Sequence, residues 1–248
     1  MLAILKKEIN TFFSSPIGYL VIAIFLLLNG LFLWVFKGDF NILDYGFADL
    51  SSFFLIAPWI LLFLIPSVTM RSFSDEKKQG TMELLLTKPL SNLEIVLGKY
   101  FASVVLVAAA LLPTLIYVYS ISNLSAIEDS IDYGSIIGSY FGLLFLVAGF
   151  NAVGIFCSTL ASNQIVGFLI ALFSCYILFY GFESLSAITE LPVGFDYYLS
   201  MIGMSYHYNS ISRGIIDSRD VLYFLSIIIF FLSLSTYSLT KRTWDKAQ

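Results

Sequence analysis

The stretch Arg71-Ser-Phe-Ser-Asp-Glu76-Lys-Lys-Gln-Gly80-Thr81-Met-Glu83-Leu84-Leu85-Leu-Thr-Lys-Pro89-Leu-Ser91-Asn-Leu-Glu94-Ile-Val-Leu-Gly-Lys99 decides how the rest of the chain is read. It is the longest charge-rich segment in an otherwise lipid-soluble sequence. A Lys, Arg or Asp at the centre of a membrane helix costs about 2.5–3.5 kcal/mol, so this segment belongs in water between two spans. Its punctuation predicts structure. Gly80 can release the backbone from the preceding segment. Thr81 is a fair N-cap for a short helix over Met82–Thr87, and Pro89 ends that helix. Ser91-Asn-Leu-Glu94 reads as a capping box that opens the next helix. Met82, Leu84, Leu85 and Leu86 make the short helix too apolar for a solvated turn. A greasy, well-delimited helix at a membrane face suits a protein partner; a connector resting on lipid headgroups is the alternative.

Outward from this segment the chain is apolar. Hydrophobic residues make up 58% of the 248, and only 12% are charged, about half the share of a soluble globular chain. The length is therefore spent on spans of about 20 residues each. A net charge of −4 with no basic block does not suggest a nucleic-acid partner. Cys157 and Cys175 both fall in apolar segments and read as packing residues.

Leu2, Leu5, Ile9, Phe12 and Phe13 recur at helical spacing among Lys6, Lys7, Glu8 and Asn10, which predicts an interfacial helix over 2–15. Pro16 sits where a new helix would begin. Spans follow at about 17–36, 53–70 and 95–120, with Trp34 closing the first and Arg71 marking the exit of the second. Pro58 and Pro66 in the second span free backbone carbonyls and imply kinks that neighbouring helices must satisfy. No residue from Tyr133 to Phe182 is formally charged. That run holds two spans, about 136–157 and 165–182, with the turn at Ser158–Gln164. Gly134, Gly138 and Gly142 share one helix face and form a seam for close approach, read as intramolecular ahead of a dimer face. A polar connector over 183–220 includes Leu199–Met204, an apolar piece suited to the membrane edge. The last span covers about 221–239. The fold class expected is an all-α polytopic membrane protein, one domain over 1–248, with a loop over 71–94 between spans two and three.

Six spans put both termini on one side. Ten bases lie on that side (Lys6, Lys7, Arg71, Lys77, Lys78, Lys88, Lys99, Lys241, Arg242 and Lys246) against Lys37, Arg213 and Arg219 opposite. The positive-inside rule then puts the termini and the 71–99 segment in the cytoplasm.

Chemistry of its own is hard to find in this chain. It has no Gly-x-x-x-x-Gly-Lys-Ser/Thr loop to bind ATP. The lone histidine, His207, has no cysteine beside it to complete a metal site and no Gly-x-Ser-Gly nucleophile to serve as in a rhomboid-like protease. Span interiors almost free of charge argue against an ion-coupled carrier. Glu183, at the outer end of the fifth span, reads as a solvated helix end. Asp217 lies four residues after Arg213, so the two can pair on a helix, and Asp217-Ser-Arg219-Asp220 can cap the last span.

The order Glu76…Gly80-Thr81-Met82-Glu83-Leu84-Leu85…Pro89 with Lys99 ten residues on resembles the signature of type-2 ABC-transporter permeases. Three further stretches resemble the branch related to gliding-motility and copper-maturation transporters, most of all the gliding-motility-associated permease of Bacteroidetes. They are Lys7-Glu8…Phe13-Ser-Ser-Pro16-Ile-Gly-Tyr19, Gly154-Ile-Phe-Cys-Ser158…Asn163-Gln164, and His207…Ser210-Ile-Ser-Arg213-Gly-Ile-Ile-Asp217-Ser-Arg219-Asp220. The resemblance implies the permease subunit of an ABC exporter in a bacterial inner membrane, serving gliding motility or surface secretion. It implies that Glu76, Gly80, Thr81, Glu83, Leu84, Leu85 and Pro89 shape and seat a coupling helix, that Lys99 anchors the third span, and that His207, Arg213, Asp217, Arg219 and Asp220 belong to an outer gate. Implied partners are two ATP-binding subunits carrying ATP and Mg, a second permease copy or homologue, membrane lipids, and an auxiliary subunit with an extracytoplasmic domain. The implied chain is itself no enzyme. The competing readings are an ABC-linked scaffold without a translocated solute and an ATP-independent channel or carrier.

Overall fold

The computed structural model describes residues 1–45, 49–82, 90–125, 131–187 and 194–245. Helix is the only regular structure among them. Six helical segments are long and apolar enough to cross a membrane: Pro16–Val35, Ser51–Lys78, Asn92–Leu124, Tyr133–Leu160, Gln164–Ser186 and Ser218–Lys241. Each answers to one of the six expected spans.

Helix α1 (Leu2–Ser14) precedes the first span and buries Ile4. Ser15 is extended, and Pro16 opens α2 (Pro16–Gly30) at its first position, where a missing N–H costs nothing. The reversal is tight. A Cβ at Gly18 would lie 2.6 Å from the Phe12 carbonyl oxygen, so only glycine lets α2 fold back on α1. Helix α2 runs on as a π-helical segment, Leu31–Val35. A short helix, α3 (Ile42–Tyr45), comes before the second span.

Helix α4 (Ser51–Thr69) contains both prolines without breaking. Pro58 has no N–H to give the carbonyl four residues back, that of Phe54. The Tyr208 hydroxyl donates to that oxygen instead, at 2.7 Å from a segment 154 residues later. The expected debt to a neighbour is thus met by a phenol. Tyr208→Phe is expected to lower stability by about 1–3 kcal/mol by leaving the buried carbonyl unpartnered, read out by equilibrium unfolding in detergent.

The helical run does not stop at Arg71, where the sequence reading places the exit and the start of a loop. Met70 keeps helical dihedrals, and α5 (Arg71–Lys78) continues the chain with Phe73 and Ser74 buried and Lys78 exposed. The third span is α6 (Asn92–Leu111), a 3₁₀ turn at Pro113 (Leu112–Thr114) and α7 (Leu115–Leu124). Both halves of the expected capping box are made: the Ser91 hydroxyl accepts from the Glu94 N–H at 3.2 Å, and the Glu94 carboxylate accepts from the Ser91 N–H at 3.1 Å.

Helix α8 (Tyr133–Leu160) is the fourth span and the hub. Asp132 caps its start by accepting from the Ser135 N–H. The fifth span is α9 (Gln164–Tyr176), a π-helical segment (Ile177–Gly181) and α10 (Phe182–Ser186). The polar connector holds α11 (Phe195–Ser200) and α12 (Met204–Ile211), and α13 (Ser218–Asp245) is the sixth span. Helix α8 packs against α4, α6, α9, α12 and α13. The glycine seam faces inward: a Cβ at Gly138 would sit 2.7 Å from the Ile211 carbonyl, and one at Gly142 3.2 Å from the Tyr208 ring. The seam is therefore intramolecular and seats α12. Leu199–Met204 turns from α11 into α12, and Met204 is fully buried beside Gly149, because an unbranched thioether fills the space a glycine leaves. Cys157 and Cys175 are both buried and free, as packing residues should be.

Candidate functional site

The end of the bundle that carries the termini holds a buried ionic cluster. Lys99, on the first turns of α6, is only 3% exposed. Its ammonium lies 2.9 Å from Glu76 Oε1 on α5 and 3.0 Å from Glu8 Oε1 on α1. Lys7 completes a quartet at 3.8 Å from Glu76 and 3.7 Å from Glu8. Two cations and two carboxylates sum to zero, with Lys99 buried at the centre and Lys7 exposed at the rim. The Phe73 ring lies 5.2 Å from the Lys99 ammonium and adds a cation–π contact. Phe73 also anchors a small core with Ile4, Met82, Ile95, Val96 and Tyr100. Helices α1, α5 and α6 are thus joined by a largely buried ionic contact and by apolar packing beside it.

The far end of α5 is built for a sharp change of direction. Gly80 adopts φ +70°, the left-handed region that glycine reaches without strain. The Gly80 N–H bonds the Lys77 carbonyl at 3.3 Å and the Thr81 N–H bonds the Glu76 carbonyl at 2.9 Å. Those two bonds are the Schellman pattern that closes a helix. The Thr81 hydroxyl also turns back to the Glu76 carbonyl, at 3.4 Å. Met82 is buried in the small core at the point where the expected short helix begins. Glu83, Leu84, Leu85 and Pro89 lie outside the described residues. Of the expected coupling residues, Glu76 and Lys99 are in direct contact, and Gly80 and Thr81 terminate the helix that carries Glu76. Glu8 and Lys7 belong to the same site, although the sequence reading gives them only a place on the interfacial helix, in the base count and in a motif. The signal is Glu8 among the apolar positions of α1 and Lys99 near the start of an apolar span, each needing an opposite charge.

The connector at the opposite end has its own buried pair. His207, 5% exposed, faces Asp220 through Nδ1 at 2.7 Å and the Met201 carbonyl through Nε2 at 2.9 Å. The imidazole stacks on Tyr223 with ring centroids 3.8 Å apart. This replaces the expected pairing of Arg213 with Asp217. Helix α12 ends at Ile211, and Gly214 takes φ +85°, so the helical spacing that would join those two is lost. Arg213 bonds the Ser210 hydroxyl instead, at 3.3 Å. Asp217 does cap α13, accepting from the Arg219 N–H at 2.9 Å, whereas Asp220 turns away from the cap toward His207. Glu183 is exposed but not merely solvated, since the Ser205 hydroxyl of α12 donates to it. Among the described residues no cluster of histidine, cysteine and carboxylates forms a metal site.

The model of the ABC-2 family transporter proteins matches residues 2–244. The chain belongs to the ABC-2 transporter family. No curated protein matches it. Members of the ABC-2 family are membrane components of ABC transporters without an ATPase domain of their own, so membership implies association with an ABC ATP-binding subunit. The six spans and the absence of a phosphate-binding loop agree with that part in an ABC-2 complex. Glu76 and Lys99 of the quartet lie on α5 and α6, the helices on either side of residues 83–89, where the sequence signature is densest.

Proposed function

We propose that this chain is the permease subunit of an ATP-driven ABC export complex, with both termini and the 71–99 segment in the cytoplasm of a bacterial inner membrane. The observation that carries the reading is the Lys99–Glu76–Glu8 junction. It braces α5 against α1 and α6 immediately before the expected coupling helix, so a push on that helix has a rigid part to act on. ATP and Mg would sit on two partner subunits below. Their closure moves residues 80–89, and the bundle rocks between inward and outward access. The second half of the membrane unit is another copy or a homologous permease. The outer connector, held by His207 and Asp220, acts as a gate above the path. Service in gliding motility or surface secretion, and an auxiliary subunit, rest on the sequence motifs of that branch.

Glu83→Arg tests the docking. With the ATP-binding partner co-expressed, the variant is expected to insert normally and to lose copurification of that partner. An unchanged pull-down overturns the docking role. The sidedness is read independently by thiol labelling of Lys6→Cys from each face of the membrane: labelling from the outside overturns the whole arrangement.

A further inference from the structure

Helix α5 is clamped at both ends to the turn between α8 and α9. The first amides of a helix have no intrahelical partner and usually take a capping oxygen from the residue just before them. Here the cap comes from another span. The Ser158 hydroxyl, fully buried at the end of α8, accepts from the Phe73 N–H at 2.9 Å and the Ser74 N–H at 3.3 Å, and donates to the Met70 carbonyl at 3.0 Å. All three groups flank the junction of α4 and α5. The last carbonyls of a helix are equally without partners. The Lys77 ammonium supplies those of α8, donating to the Thr159 and Ala161 carbonyls, with the charge sense that a helix C-terminus favours. Gln164, the first residue of α9, donates to the Asp75 carboxylate. Close packing runs beside these bonds: a Cβ at Gly154 would fall 2.1 Å from the Thr69 hydroxyl oxygen, so α8 and the end of α4 touch backbone to side chain.

Each helix end therefore satisfies polar groups of the other, and parting them would strand buried donors and acceptors on both sides. We infer that α5 and the α8–α9 turn move as one rigid piece, with Ser158 as the positioning residue, so that the lever works spans four and five directly rather than only through α4. This deepens the proposed function and rests on it for the source of motion.

The clamp itself is tested without any partner. Ser158→Ala is expected to speed hydrogen exchange of the Phe73 and Ser74 amides of α5 about ten-fold, with the amides of α6 and of the body of α8 unchanged. Unchanged exchange at those two amides overturns the inference. Its mechanical part is tested in the complex with the ATP-binding subunit. Asp75→Cys with Gln164→Cys, in a background of Cys157→Ala and Cys175→Ala, is joined by a short reducible bifunctional thiosulfonate. The joined complex is expected to turn over ATP at the rate of the reduced one. Turnover that stops on joining and returns on reduction shows that the two must separate, and overturns the rigid piece. Ser158→Ala is expected to keep the ATP-binding subunit bound and to lose permease-dependent stimulation of its turnover, with Ser158→Thr restoring it. Full stimulation in Ser158→Ala counts against the positioning role. Failure of the wild type to retain the subunit brings down the proposed function instead, and leaves the exchange result standing.

Discussion

Lys99→Met is expected to lower the unfolding free energy by about 3–5 kcal/mol, the usual consequence of removing one partner from a buried ion pair. The ammonium is 3% exposed and serves two carboxylates at once. Without it, Glu8 and Glu76 face each other across the vacated site, and Lys7, at 3.7–3.8 Å and 60% exposed, is the remaining cation within reach. The Glu76 Oε2 atom is already buried without a hydrogen-bond partner among the described residues, so this carboxylate has no reserve of polar contacts. Like charges in such a place are relieved by protonation or by local opening. The opening would free α5 from α1 and α6. Equilibrium unfolding in mixed detergent measures the loss. The companion variant replaces all three groups: Lys99→Met, Glu8→Leu and Glu76→Leu should recover most of the stability, because an apolar set of similar volume often equals or betters a buried ionic one. A single-site loss with no recovery in the triple variant would mean that charge balance is not what the cluster contributes.

The second large effect is expected at the other end. His207→Leu leaves the 4%-exposed Asp220 carboxylate without its ring partner, for a loss of about 3–5 kcal/mol. The donor count explains why the ring matters. A backbone carbonyl can only accept, so Nε2 must carry a proton toward Met201. The other ring nitrogen, Nδ1, lies 2.7 Å from the Asp220 carboxylate, so one imidazole serves both partners. Asp220→Asn keeps an acceptor oxygen while removing the charge, and should cost less, about 1–2 kcal/mol. Thermal unfolding ranks the two variants. Limited proteolysis of residues 183–217 checks the local consequence, since α12 loses its polar tie to α13. Equal losses from the two substitutions would mean that the carboxylate charge is not what the pair depends on.

The parts of the fold that sequence made legible are those governed by local rules. The Ser91–Glu94 box, Pro16 at a helix start and the Asp217 cap each depend on three or four neighbouring residues, and each forms as read. The spans follow from length and hydropathy alone, and the glycine seam from a four-residue period. Pro58 announced a free carbonyl, but only the packed structure could say that Tyr208 fills it. Long-range pairing was illegible. Glu8 and Lys99 are 91 residues apart, and nothing local joins them. In the connector the local rule misled. Arg213 and Asp217 have helical spacing, yet Gly214 breaks the helix between them, and the aspartate that pairs is Asp220, thirteen residues from His207. Arg71–Lys78 read as loop because its charge outweighed its amphipathic order; burial of Phe73 decided the matter for helix.

The hydroxyl that caps α5 has a consequence for biogenesis. Ser158 leaves the ribosome 85 residues after Phe73. At about 5–20 residues per second that interval is roughly 4–17 s. Throughout it, the Phe73 amide at the opening of α5 lacks the hydroxyl that will cap it. The early half of the polypeptide is held provisional until a later segment is inserted beside it, so a ribosome stalled between those two points would leave a product that cannot yet mature.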